Sequence, residues 1–118
     1  MSKQPVEYLR HILEEAEFLV SSSAGLDRAK LEADPVLARA FTRSLEIIGE
    51  ATKKLSADLK RRYPDVEWRK MAGMRDRLTH DYFDVQYDIV WDVVCKKIPA
   101  LRERISEIIA AEEPPGIA

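Results

Sequence analysis

A chain of 118 residues has room for one hydrophobic core and not for two. Hydrophobic residues make up 46% and charged residues 34%, with four glycines and six prolines, a balance that favours helices over turn-rich β structure. No apolar run approaches the roughly 18–20 residues of a bilayer span, and the opening Met1-Ser2-Lys3-Gln4-Pro5 lacks an apolar signal core. The expectation is a cytoplasmic, all-α protein.

The first helix is predicted over 5–20, where Val6, Leu9, Leu13, Ala16 and Val20 recur at steps of three and four. Pro5 suits its first turn, and Ser21-Ser22-Ser23-Ala24-Gly25 breaks it. Residues 26–33 read as a short helical turn. Asp34-Pro35 then offers an N-cap followed by proline at the first helical position, and Leu37, Phe41, Leu45, Ile48, Leu55 and Leu59 continue as the stripe of a long central helix ending near Tyr63-Pro64. Within it, Gly49 is either a tolerated glycine or a point where a neighbour comes close. A shorter helix carrying Trp68, Met71, Ala72 and Leu78 should reach His80. Asp84 can cap a last helix with Val90, Val94, Ile98, Leu101, Ile105 and Ile108, kinked by Pro99. The simplest way to bury these stripes is an antiparallel up-and-down four-helix bundle with an additional short helix, occupying residues 1–113 as one domain, with 114–118 a flexible tail.

The net charge of −2 does not announce a nucleic-acid binder, but it is unevenly spread. Residues 60–77 carry seven basic side chains against three acidic ones, whereas residues 1–34 carry four against seven. Charge alone leaves open whether the basic segment meets phosphate or is an ordinary solvated face. Cys95 is the single cysteine and reads as a small helix residue without chemistry; with His11 and His80 the only histidines, no closely spaced metal ligands are present and no cofactor is expected.

The segment Met71-Ala-Gly-Met-Arg-Asp-Arg-Leu-Thr-His-Asp-Tyr-Phe83 gathers Arg75, His80 and Tyr82. A guanidinium can hold phosphate oxygens bidentately. An imidazole titrating near neutrality can move protons as a 2′-hydroxyl attacks or a 5′-oxygen departs. Together these amount to RNA cleavage without a metal. On one ideal helix, however, Arg75 and His80 would point about 140° apart, separated by about 7.5 Å along the axis. Either the helix ends or distorts near Thr79-His80, or the Arg75 side chain curls round, or the site combines groups from two chains.

Arg75, four residues, His80, one residue and Tyr82 together resemble the signature of HepT-type toxins in the HEPN superfamily. Ser44-Leu-Glu-Ile-Ile-Gly-Glu-Ala51, Arg62-Tyr-Pro64, Trp68-Arg69, Met71-Ala-Gly-Met-Arg75 and Ile89-Val-Trp-Asp-Val-Val94 are also similar to family blocks, over roughly 41–101. The resemblance implies a HEPN bundle that forms a homodimer with a composite ribonuclease site. In it Arg75 would stabilise the scissile phosphate and His80 would act in proton transfer, with Asp76 in a supporting, orienting role. It further implies a toxin–antitoxin pair in which Tyr82 accepts AMP from a minimal nucleotidyltransferase partner. Arg69, Lys70 and Arg77 are the candidate RNA-binding cations. Asp81, between His80 and Tyr82, departs from the pattern and could pair with Arg77 or raise the imidazole's pKa. Two other readings use the same residues: a non-catalytic module binding a nucleotide or the nucleotidyltransferase, and a structural dimerisation domain.

Overall fold

The computed structural model of the chain describes residues 4–78 and 85–113. Eight α-helices follow one another there, and among the described residues there is no strand, as the composition implied. The first, α1 (Pro5–Ser23), opens with proline in its first turn, and the chain leaves it through Gly25, whose φ of 74° lies in the left-handed region that glycine enters without strain. Asp27 caps α2 (Arg28–Ala33) by accepting from the Lys30 N–H at 2.8 Å. Asp34 caps α3 (Pro35–Lys54), its carboxylate accepting from Val36 and Leu37 N–H at 3.1 and 3.0 Å.

Three expected helices are each divided. The central one stops at Lys54, because Ser56 accepts the Leu59 N–H at 3.1 Å and so caps a separate α4 (Ala57–Arg62). The apolar stripe hid this break, since Leu55 and Leu59 are buried on either side of it. The next is split at Gly73 into α5 (Trp68–Ala72) and α6 (Met74–Leu78). The last is split at Lys97 into α7 (Tyr87–Lys96) and α8 (Ile98–Glu112), so the kink expected from Pro99 is a full interruption. The expected cap at Asp84 and the tail at 114–118 lie outside the described residues.

The body of the fold is α1 packed along α3 and α8, with α7 closing the remaining side. Leu9, Ile12, Ala16 and Leu19 of α1 meet Phe41, Leu45 and Ile48 of α3 and Ile98, Ile105 and Ile108 of α8. On α1 the buried stripe is rotated from the expected one: Ile12 and Leu19 are fully covered, whereas Val6, Leu13 and Val20 are only half-buried. Phe41 is fully buried, and truncating it to alanine would cost about 3–5 kcal/mol. The buried hydroxyls of Thr42 and Thr52 donate to Ala38 and Ile48 carbonyls one turn back, at 2.9 and 2.7 Å.

The turn at Tyr63-Pro64 is held by the Trp68 indole, whose N–H donates to the Tyr63 carbonyl at 2.9 Å, and by the Trp68 backbone N–H donating to Val66 at 2.8 Å. It delivers α5 and α6 onto α3. At the far end of α6, the Gln86 N–H donates to the Leu78 carbonyl at 2.7 Å and fixes the start of α7 against it.

Candidate active site

Arg75 is the second residue of α6, a helix of five residues. So short a helix has little stability of its own, and its neighbours hold it in place. Met74 and Leu78, one turn apart, are buried beneath it. Gly73 joins it to α5: its N–H donates to the Arg69 carbonyl at 3.0 Å, while its carbonyl accepts from Asp76 and Arg77 N–H at 3.1 and 3.3 Å. One residue thus closes one helix and opens the next. Beneath the joint lies Gly49 of α3, where a β-carbon would stand 3.1 Å from the Met71 carbonyl oxygen and 3.7 Å from the Met74 Cβ. Of the two readings of Gly49, the close approach is the one observed.

With Met74 and Leu78 facing inward, Arg75 and Arg77 leave α6 about 200° apart and serve different surfaces. Arg75 turns to α3, where its Nε lies 3.8 Å from Glu46 Oε2; the arginine side chain is 65% exposed and the glutamate 26%. The contact is an ion pair beyond hydrogen-bond length, and it draws the guanidinium toward α3. Arg77 instead lines a groove of about 340 Å³ with Lys70, Glu67 and Lys97, floored by Met71, Met74 and Val93. There Glu67 accepts from both lysines, at 2.9 Å from Lys70 and 3.4 Å from Lys97, and these hydrogen bonds hold its carboxyl below the usual carboxylate range. Arg69 is exposed on α5. Of the three candidate RNA-binding cations, Lys70 and Arg77 thus line a groove to which Arg75 does not contribute.

Asp76 is exposed, and none of its side-chain contacts is with Arg75. Among the described residues, a carboxylate that does meet the arginine is Glu46, which the site reading missed even though it lies within the Ser44–Ala51 block. Its helical position was readable; its partnership was not, since that depends on how α5 and α6 fold back. The expectations for His80, Asp81 and Tyr82 fall outside the described residues. Cys95 lies on the outer side of α7, and partial burial, followed by the nearby Asp92, raises its thiol pKa, which disfavours the reactive thiolate. Among the described residues no three His, Cys, Asp or Glu side chains are grouped to hold a metal, and no helix is long and apolar enough to cross a membrane.

A family profile described as "Ribonuclease HepT-like" matches residues 12–108, which takes in α3, Glu46 and the whole Arg75–Tyr82 segment. The chain belongs to this family. A candidate RNase of Caldanaerobacter subterraneus subsp. tengcongensis is 47% identical over 111 residues, covering 94% of this chain and 99% of that protein. A candidate RNase of Methanocaldococcus jannaschii is 39% identical over 110 residues, with 92% of this chain and 91% of the relative covered. A Thermococcus cleftensis protein named "Probable ribonuclease HepT" is 35% identical over 108 residues, with 92% and 98% covered. No solved structure matches the chain significantly. As a member of the HepT-like family the chain is an all-α HEPN protein, in agreement with the helices observed.

Proposed function

We propose that this HepT-like protein is a metal-independent endoribonuclease toxin of a type VII-like toxin–antitoxin pair, acting in the cytoplasm through one HEPN domain over residues 1–113. Arg75 and His80 form its Arg-x4-His pair. The observation that carries the reading is the exposed Arg75 guanidinium, oriented by Glu46 in a chain whose family is HepT-like ribonuclease. In the reaction the 2′-hydroxyl oxygen forms a bond to phosphorus as the phosphorus–O5′ bond breaks. The hydroxyl proton leaves through His80 and a proton is returned to the 5′-oxygen. Arg75 holds the non-bridging oxygens while negative charge builds on them. The products are a 2′,3′-cyclic phosphate and a 5′-hydroxyl end.

Two protomers complete the site in this reading, which removes the phase mismatch between Arg75 and His80 along one helix. A cognate minimal nucleotidyltransferase neutralises the enzyme by transferring AMP to Tyr82. The added phosphodiester competes with RNA phosphate for Arg75, and the adenosine fills substrate space. The test is incubation of the purified protein with tRNA and mRNA in EDTA beside His80→Ala. Cleavage leaving cyclic phosphate ends in the wild type, absent in the variant, supports the assignment. Equal cleavage by both preparations rejects it.

A further inference from the structure

A second surface adjoins Arg75 on α3. Taking Glu46 as the reference direction and 100° per residue, Arg39 lies about 20° and Arg43 about 60° round the helix from it, about two turns and one turn respectively toward the N-terminus. Both arginines are exposed, and neither has an ion-pair partner among the described residues. Most of the described cations have a carboxylate partner, though Lys30, Lys60, Arg69 and Arg77 share with these two the lack of one among the described residues. Lys53, Lys70, Lys96, Lys97 and Arg104, for example, are each paired. Arg43 also borders a shallow groove of about 240 Å³ between α1 and α3, shared with Tyr8, His11, Ile47, Lys54 and Glu50, the last paired with Lys53 at 3.7 Å. In it the Tyr8 and His11 rings meet edge to face, centroids 6.3 Å apart. Lys54, at the groove's other end, likewise has no ion-pair partner among the described residues.

Aromatic rings flanked by cations, on an open groove, are the combination that receives single-stranded nucleic acid: the rings take an unstacked base and the cations take phosphate. The groove is smaller than the roughly 300–1,000 Å³ of pockets that enclose a small molecule. It therefore suits one unit of a polymer that is held elsewhere as well.

We propose that the α1–α3 groove is an RNA subsite, in which Tyr8 and His11 receive the base of a nucleotide outside the two that flank the scissile phosphate and Arg43 contacts the backbone on its way to Arg75. The proposal rests on the ribonuclease reading of that site. It also assigns the strand a direction of travel: along α3, away from the Lys70–Arg77 groove, whose lysines already share Glu67.

The test compares wild type, Arg43→Ala, Tyr8→Leu and Tyr8→Phe. Binding is measured by anisotropy on a 2′-O-methyl 12-mer, which lacks the attacking hydroxyl, and kcat/KM on an RNA 12-mer and on a dinucleotide. Arg43→Ala and Tyr8→Leu should each weaken 12-mer binding and lower 12-mer kcat/KM about tenfold while sparing the dinucleotide, and Tyr8→Phe should behave as wild type. Arg43→Ala should also reduce the slope of log affinity against log salt by about 0.7, whereas Tyr8→Leu should leave it unchanged. Wild-type 12-mer values in both Arg43→Ala and Tyr8→Leu, from an enzyme that cuts RNA, would overturn the subsite and leave the ribonuclease reading standing. A wild type that neither binds nor cuts RNA would overturn both. Weakened binding that tracks a loss of dimer in light scattering would assign the groove to a second copy of the chain and also overturn the proposal.

Discussion

Arg75 was legible as a candidate because its spacing to His80 and Tyr82 is a local property of the sequence; Glu46 was not, because its meeting with Arg75 is made by tertiary structure. The two should respond differently to substitution. Arg75→Ala and His80→Ala should each abolish RNA cleavage with an unchanged circular dichroism spectrum. Arg75→Lys should not restore it, since an ammonium cannot reproduce the planar fork. Glu46→Gln keeps the shape and removes the charge that orients the guanidinium. Its expected signature is a roughly tenfold fall in kcat with little change in KM. Stability should shift by no more than about 1 kcal/mol, as the contact is long and its arginine is largely solvated. A Glu46→Gln enzyme with normal kcat would show that Arg75 is positioned by other contacts.

At the level of the helices, the capping residues were the reliable signals where they stood against proline, as at Asp34-Pro35, and were overlooked where they interrupted a continuing stripe, as at Ser56. Periodicity reports which face is buried, and a break that keeps the face in register leaves no mark on it. The split at Gly73 escaped for the same reason: Met71, Met74 and Leu78 are buried on both sides of it. Beneath that split, Gly49 supplies a further expectation. Gly49→Ala gains up to about 1 kcal/mol of helix propensity in α3, yet pushes a β-carbon to 3.1 Å from the Met71 carbonyl, so the α5–α6 pair must yield by a few tenths of an ångström. Thermal stability should change little while RNA cleavage falls several-fold. Gly49→Val, with no room for its branches, should lower the melting temperature as well. Full activity in Gly49→Val would mean that the seating of α6 does not matter for catalysis.

Across the whole molecule, a polar network fastens the two ends of the fold. Glu112, near the end of α8, accepts from the Arg62 guanidinium and the Tyr63 hydroxyl; Arg62 also reaches Asp58, and Arg104 lies over the Tyr63 ring at 5.5 Å while pairing with Asp65 at 2.8 Å. The hydrogen bond from Arg62, then that from Tyr63, holds the Glu112 carboxyl below its usual range. The same contact to Glu112 raises the Tyr63 phenol above its usual value. A depressed carboxyl contributes stability above its unfolded pKa and loses it as pH falls through the folded one; a raised phenol contributes below its unfolded pKa and loses it as pH climbs through the folded one. The network should thus help most from about pH 5 to 9. Glu112→Gln should lower stability there by about 1 kcal/mol and flatten the acid limb of the melting curve against pH. An acid limb of unchanged steepness would place the proton uptake elsewhere. The assembly itself can be read by light scattering, where a dimer is expected at micromolar concentration. Mass spectrometry of the protein co-expressed with the minimal nucleotidyltransferase proposed as its partner should show AMP-sized additions on Tyr82 that vanish in Tyr82→Phe.

The shortness of α5 and α6 sets a clock as well as a shape. Two five-residue helices joined at Gly73 cannot persist once they lift from α3, so their amides should exchange with solvent deuterium through openings well below the free energy of global unfolding, while Leu45 and Ile48 on α3 exchange only when the whole chain unfolds. Warming would then silence the enzyme before it melts: the arginine is carried off while α1, α3 and α8 still stand.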